Sequence, residues 1–271
     1  MNPFQALVLG IIQGATEFLP VSSSGHLVLV PWLLEWEEPG LTFDAVAHWG
    51  TALAVIVYFW REWLALIQAV FQAIHQRSIA DPKARLALLI ILGTAPAALI
   101  GYALEDFFEQ MFSRPAAAAA SLLVTAALLS VAEWLGRREH DLEQMSWLDA
   151  LLVGLGQALA IFPGISRSGA TIATGLARGL KREPAARFSF LLATPVILGA
   201  GAFKLLDLAQ VGDLTGQIPA LTVGLASAGV VGFGCIHFLL RYLQNRRLYP
   251  FAIYCAAAGI ICLIVAVTGL R

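Results

Sequence analysis

Two apolar stretches of this chain, about 4–34 and 148–178, are each interrupted midway by proline, serine and glycine. The first break reads Pro20-Val21-Ser22-Ser23-Ser24-Gly25 and the second Pro163-Gly164-Ile165-Ser166-Arg167-Ser168-Gly169. Broken backbone leaves unpaired N–H and C=O groups, so at membrane depth it is tolerated only inside protein or along a wet cavity. Composition makes lipid the relevant solvent. Of the 271 residues, 59% are hydrophobic and 13% charged, against about 25% charged in an ordinary soluble domain. Both stretches therefore read as re-entrant helical hairpins in an all-α polytopic membrane protein.

A bilayer core needs about 20 mostly apolar residues per helix. Six segments meet that test: roughly 41–60, 86–104, 116–135, 188–206, 218–240 and 250–270. Basic residues gather in the connections between them: Arg61, Arg77, Lys83 and Arg85; Arg137 and Arg138; Arg178, Lys181, Arg182 and Arg187; Arg241, Arg246 and Arg247. The positive-inside rule puts all four connections in the cytoplasm. The connections at 105–115 and 207–217, with Glu105, Asp106, Glu109, Asp207 and Asp213, then lie outside. Six spans alternate correctly only if 148–178 enters and leaves on the cytoplasmic side and 4–34 on the outer side, with both termini outside. The first apolar run carries Gln13 and Glu17 and lacks a basic leader, so no cleavable signal peptide is expected.

The two elbows align without a gap at an offset of 144 residues. Gly10, Gln13 and Phe18 match Gly154, Gln157 and Phe162, while Ser22, Ser24 and Gly25 match Ser166, Ser168 and Gly169. The chain divides into a first repeat, 1–135, and a second, 148–271, within one transmembrane domain. Each is a hairpin followed by three spans, and an odd number of spans inverts the second copy. Inverted repeats with broken helices place their site near the midplane, where the hairpin tips meet.

What the tips carry suits a phosphate. Gln13 and Glu17 stand at i and i+4 on one helix face. Ser22, Ser23, Ser24, Gly25 and His26 follow, and the second tip adds Ser166, Arg167, Ser168, Gly169 and Thr171. A charged residue at a helix centre in the bilayer costs about 2.5–3.5 kcal/mol on insertion scales, so it needs a partner; Glu17 and Arg167 have opposite sign. A helix restarts after each elbow, and its free N–H groups and dipole favour an anion. Arg167 can grip phosphate oxygens in two places. His26 could exchange a proton near Ser23, and a serine with a neighbouring base is a nucleophile candidate. His48, His75, His140 and His237 read as structural. Cys235, Cys255 and Cys262 lie in apolar stretches without metal-ligand spacing, and a net charge of −1 gives no basic field for nucleic acid.

The runs Gln13-Gly-Ala-Thr-Glu17-Phe-Leu-Pro-Val-Ser-Ser-Ser-Gly-His26 and Pro163-Gly-Ile-Ser-Arg-Ser-Gly-Ala-Thr171 resemble the two signature motifs of bacterial undecaprenyl pyrophosphate phosphatases of the bacitracin-resistance type. The likeness runs along the whole chain, including Phe188–Pro195 and Pro250–Tyr254. It implies removal of the terminal phosphate from undecaprenyl pyrophosphate in the bacterial inner membrane, at a site open to the periplasm, which recycles the carrier lipid for peptidoglycan. It also implies Glu17, Ser23, His26 and Arg167 at the centre, Ser22, Ser24, Ser166 and Thr171 around the phosphates, and support from a divalent cation, Mg²⁺ or Ca²⁺. Many members carry glutamate where this chain has Gln13, so Glu17 would hold a metal without a second carboxylate four residues away. A transporter or lipid flippase shares the inverted-repeat architecture, and a phosphatase for shorter prenyl or other lipid phosphates is a further reading. Small-residue faces such as Gly224, Ala228 and Gly232 could support contacts within one subunit or in a homodimer.

Overall fold

In a computed structural model, residues 1–104, 114–208 and 216–269 are described. They form eleven α-helices and one 3₁₀ turn, Leu142–Gln144, and no strand beyond an isolated bridge between His140 and Leu180. The expected connections at 105–115 and 207–217 fall largely outside the described residues.

The first hairpin is α1 (Pro3–Phe18) and α2 (Ser23–Leu33), and the second is α7 (Trp147–Leu159) and α8 (Arg167–Ala177). Local chemistry fixes their bounds. Asn2 caps α1 with a capping box and Pro3 at the first turn, and Ser146 caps α7 with Asp149 in the reciprocal position. Ser22 and Ser166 cap the restarting helices by accepting the N–H of Gly25 and Gly169. The 144-residue offset recurs in the helices themselves: α1 and α7 start 144 apart, and α2 and α8 both start and end 144 apart.

The remaining helices are α3 (Gly40–Tyr58), α4 (Trp60–Gln76), α5 (Pro82–Ala103), α6 (Pro115–Leu135), α9 (Arg182–Leu208), α10 (Ile218–Asn245) and α11 (Tyr249–Thr268). Five of these, α5, α6, α9, α10 and α11, are long and apolar enough to span a bilayer, and α3 with α4 makes a sixth candidate bent by 75°. Five spans, or six with the bent pair, agree with a polytopic membrane protein, with one correction to the expected layout. The segment expected as a connection, 61–85, is mostly helix. In α4 Leu66 and Ala69 are buried while Leu64, Ile67, Phe71 and Ile74 are exposed, among Arg61, Glu62, Gln68, Gln72 and His75. One apolar and one polar side, set nearly across the span, is how an amphipathic helix lies in a membrane interface.

α1 packs on α10 and α7 packs on α5, so each hairpin leans on a span from the other half. Small residues permit this. A Cβ on Gly154 would stand 2.3 Å from the Gly93 carbonyl oxygen, and one on Gly14 would stand 2.6 Å from that of Ala228. The stripe of Gly224, Ala228 and Gly232 is thereby used inside the subunit, against α1 and α3. Phe18 is fully buried and meets Phe190 edge-to-face at 5.3 Å, which locks the end of α1 where the chemistry begins.

The basic connections converge at one end of the bundle. Buried Glu133 takes Arg138 and Arg182 as ion-pair partners and also the Leu248 N–H, while Arg85 donates to the carbonyls of Glu143 and Met145. Arg187 pairs with Glu62 and Glu183. At the same end Arg178, just past α8, reaches Asp149 in the first turn of α7 at 2.6 Å. That bond closes the mouth of the second hairpin, which therefore enters and leaves on the basic side.

Candidate active site at the two elbows

The two elbows touch. Ser168 Oγ donates to the Leu19 carbonyl at 3.2 Å, and the Gly164 N–H points to Ser24 Oγ at 3.4 Å. Gly164 lies at φ +92° with Ala118 and Ser121 against it, and a Cβ on Gly25 would stand 3.0 Å from its Cα. Only residues without side chains allow the loops so near, at a backbone angle that L-residues avoid. The start of α2 and the start of α8 are thus brought to one place, and two positive helix ends face the same space.

Glu17, on the last turn of α1, organises that space. Its Oε1 accepts Arg167 Nη2 at 3.0 Å; its Oε2 accepts Ser23 Oγ at 2.5 Å and Gln13 Nε2 at 3.0 Å. The carboxylate is 4% exposed and the arginine side chain 14%. The pairing inferred from charge alone is therefore real, buried and linked to the serine. It is also incomplete: Arg167 Nη1 and Gln13 Oε1 are buried with no hydrogen-bond partner. An unpaired guanidinium N–H in such a place costs free energy unless something arrives to accept from it.

Ser22 holds φ +73°, a conformation uncommon for a residue with a side chain. His26 fixes it, with Nδ1 donating to the Ser22 carbonyl at 2.7 Å. The other ring nitrogen accepts from the Tyr254 hydroxyl at 2.7 Å, which ties the elbow to α11. Ser24 Oγ lies 3.4 Å from Ser22 Oγ, and Ser166 Oγ lies 3.2 Å from Ser168 Oγ. Ser166 N–H donates to Thr125 Oγ1, which in turn donates to the Gly164 carbonyl. Gly169 sits under Ser166, where a Cβ would meet the serine's own at 2.9 Å.

Most of the sequence candidates are brought together, and three placements differ from expectation. Thr171 turns away: its hydroxyl bonds the Arg167 carbonyl at 2.8 Å and Ser189 Oγ on α9 at 2.6 Å. His26 has both nitrogens engaged. His48, read as structural, has Nε2 3.7 Å from Glu17 Oε2. The usable signal for His48 was Asp44, one turn earlier on the same face of an apolar span. Ser189 and Tyr254 lie in the two further stretches that carry the family likeness, with no role assigned to them there, and Thr125 carried no signal, being a single hydroxyl in a helix remote in sequence.

The residues present do not fit a resident divalent ion. Among the described residues no group of three or more His, Cys, Asp and Glu could hold one. Gln13 stands four residues before Glu17, and both Glu17 oxygens already accept from protein donors.

The chain as a whole has close counterparts in sequence. A family model described as bacitracin resistance protein BacA matches residues 6–261. This chain belongs to the BacA family. Relatives agree over their full length. An undecaprenyl-diphosphatase of Pelotomaculum thermopropionicum is 46% identical over 98% of this chain and 97% of its own. Its namesake in Pelobacter propionicus is 44% identical over 100% and 99%, and that of Geobacter sulfurreducens 44% over 96% of each. The BacA match spans both elbows, so the site lies wholly within it.

Proposed function

We propose that this BacA-family chain hydrolyses undecaprenyl diphosphate to undecaprenyl phosphate and inorganic phosphate, as the names of its relatives state. The observation that carries the mechanism is the half-used guanidinium. Arg167 is pinned to Glu17 Oε1 through Nη2, while Nη1 is buried and unpaired, and the other oxygen of the same carboxylate holds the Ser23 hydroxyl. The terminal phosphoryl oxygens complete that donor, together with the N–H groups at the starts of α2 and α8. Charge stabilisation of this kind is most of phosphoryl-transfer catalysis.

Ser23, its proton held on Glu17 Oε2, attacks the terminal phosphorus in line. The Oγ–P bond forms, the bond from phosphorus to the bridging oxygen breaks, and that electron pair leaves with undecaprenyl phosphate. Water then displaces Oγ from phosphorus, releasing phosphate and returning a proton to the serine. His26 holds the Ser22 turn that aims Ser23, and Gln13 steadies the carboxylate. With both Glu17 oxygens engaged by protein donors, no step here is assigned to a divalent cation.

The halves are read as inverted copies within one domain, and the chain as a multi-pass protein of the bacterial inner membrane with its site open to the periplasm. What supports this is the gathering of the four basic connections at one end, where the second hairpin also closes. Release of phosphate from the purified protein in detergent, where no gradient exists, tests the central reading. Lipid bound without phosphate released, with or without Mg²⁺ or Ca²⁺, refutes it and favours a flippase.

A further inference from the structure

The two histidines at the elbows differ in what their ring nitrogens can do. His26 is bonded on both sides, to the Ser22 carbonyl and the Tyr254 hydroxyl. A proton delivered there must displace one of those bonds. His48, on the inner face of α3, is bonded on one side only. Its Nδ1 lies 2.7 Å from the Asp44 carbonyl oxygen. A carbonyl accepts and never donates, so Nδ1 carries the hydrogen and the neutral ring presents a lone pair at Nε2. That lone pair faces Glu17 Oε2 at 3.7 Å, the same oxygen that accepts the Ser23 hydroxyl at 2.5 Å. Two acceptors held face to face have one use between them, which is to share a proton.

The surroundings give that proton a direction. Arg167 sits on the far oxygen of Glu17, Oε1, away from His48. The Asp44 carboxylate, with Glu38 beyond it, lies within electrostatic reach of the imidazole, and Asp44 Oδ1 is buried without a hydrogen-bond partner. A proton on Nε2 is therefore 3.7 Å from the Glu17 oxygen that Arg167 does not hold, with the Asp44 carboxylate adding to the negative field around the ring. Exposure separates the two groups: the His48 side chain is 31% exposed, the Glu17 side chain 4%, so protein closes off the carboxylate and not the imidazole.

We infer that His48 is the exit for the nucleophile's proton, which passes from Ser23 Oγ to Glu17 Oε2 and on to His48 Nε2. This rests on the phosphatase reading above. As the Oγ–P bond forms and the bridging P–O bond breaks, the serine proton moves to Glu17 and then to His48, which gives it to solvent. In the second step the attacking water loses a proton to the same carboxylate, which returns one to Oγ as the P–Oγ bond breaks. His48 touches no reacting atom; it positions the proton through Glu17.

The test uses purified His48→Gln, His48→Asn and His48→Ala proteins with undecaprenyl diphosphate in detergent. General-base contributions are typically 10²–10⁴-fold, so kcat should fall by about 10²-fold or more in His48→Gln while KM stays within about threefold. Added imidazole should restore turnover to His48→Ala in a concentration-dependent way. Phosphoserine formation, followed by rapid quench, should slow in parallel. Glutamine and asparagine keep the position filled with a polar group, so a loss confined to His48→Ala means packing and overturns the inference. So does a wild-type kcat in His48→Gln, or recovery with asparagine and not with imidazole. A wild-type protein that releases no phosphate defeats the phosphatase reading itself, a separate result.

Discussion

Replacing Arg167 with lysine separates two jobs that the guanidinium does at once. Its Nη2 neutralises Glu17 at 3.0 Å, and its Nη1 is buried with no hydrogen-bond partner. Lysine offers a single ammonium. With Glu17 at 4% exposure, that ammonium stays on the carboxylate, so the protein folds and inserts but the phosphoryl group loses a donor. Removing one such preorganised donor typically costs about 2.7–4 kcal/mol of transition-state stabilisation, or 10²–10³ in kcat. Arg167→Ala removes both jobs. Breaking a buried ion pair by deleting one partner costs roughly 3–5 kcal/mol of stability, so the alanine variant should be inactive and also thermally weakened. The assay is phosphate release from detergent-purified protein, with melting followed by intrinsic tryptophan fluorescence. Lysine turnover within a few-fold of wild type would refute the division of labour, since a point charge would then suffice.

Three further outcomes follow from the site and its frame. Ser23→Ala should lose turnover by several orders of magnitude yet still bind the diphosphate, and acid quench of wild type with terminally labelled substrate should trap phosphate on Ser23; measurable turnover in the alanine variant with no trapped label would assign the attack to water. Gly164→Ala places a Cβ 2.2 Å from the Ala118 carbonyl at φ +92°, so the elbows must separate; activity should vanish and the melting temperature fall, and an active, stable variant would contradict the close approach. Cysteines at Arg77 and Arg138 should resist an impermeant thiol reagent in intact cells while a cysteine at Glu109 reacts, and the reverse pattern would turn the site to the cytoplasm.

The hairpins were legible because a run of Pro, Ser and Gly inside apolar sequence admits few explanations in lipid. The pairing of Glu17 with Arg167 was legible for a related reason: two opposite charges at membrane depth need each other. α4 was not, because its charges obscured a helical face that only the 75° bend turns toward an interface. His48 was misplaced because a lone histidine in a span is usually structural. Whether it points inward depends on how α3 rotates against α1 and α10, which periodicity alone does not set. Thr171 differs in the opposite sense. It stands within the motif, yet one turn into α8 its hydroxyl has rotated toward Ser189.

The 144-residue register puts Ser23 and Arg167 at the same place in the two copies, and it sets Glu17 against Ile161 and His26 against Ala170. Two identical elbows would have met as a symmetric pair, presenting two nucleophiles or two phosphate clamps across a dyad. Here the copies are unlike at the positions that matter. One brings the Ser23 hydroxyl and its carboxylate, the other the Arg167 guanidinium paired to that carboxylate. Under the proposed mechanism the two unlike copies enclose a single centre with a definite sense. A pyrophosphate then has one productive orientation in it, with its terminal phosphorus presented to Ser23.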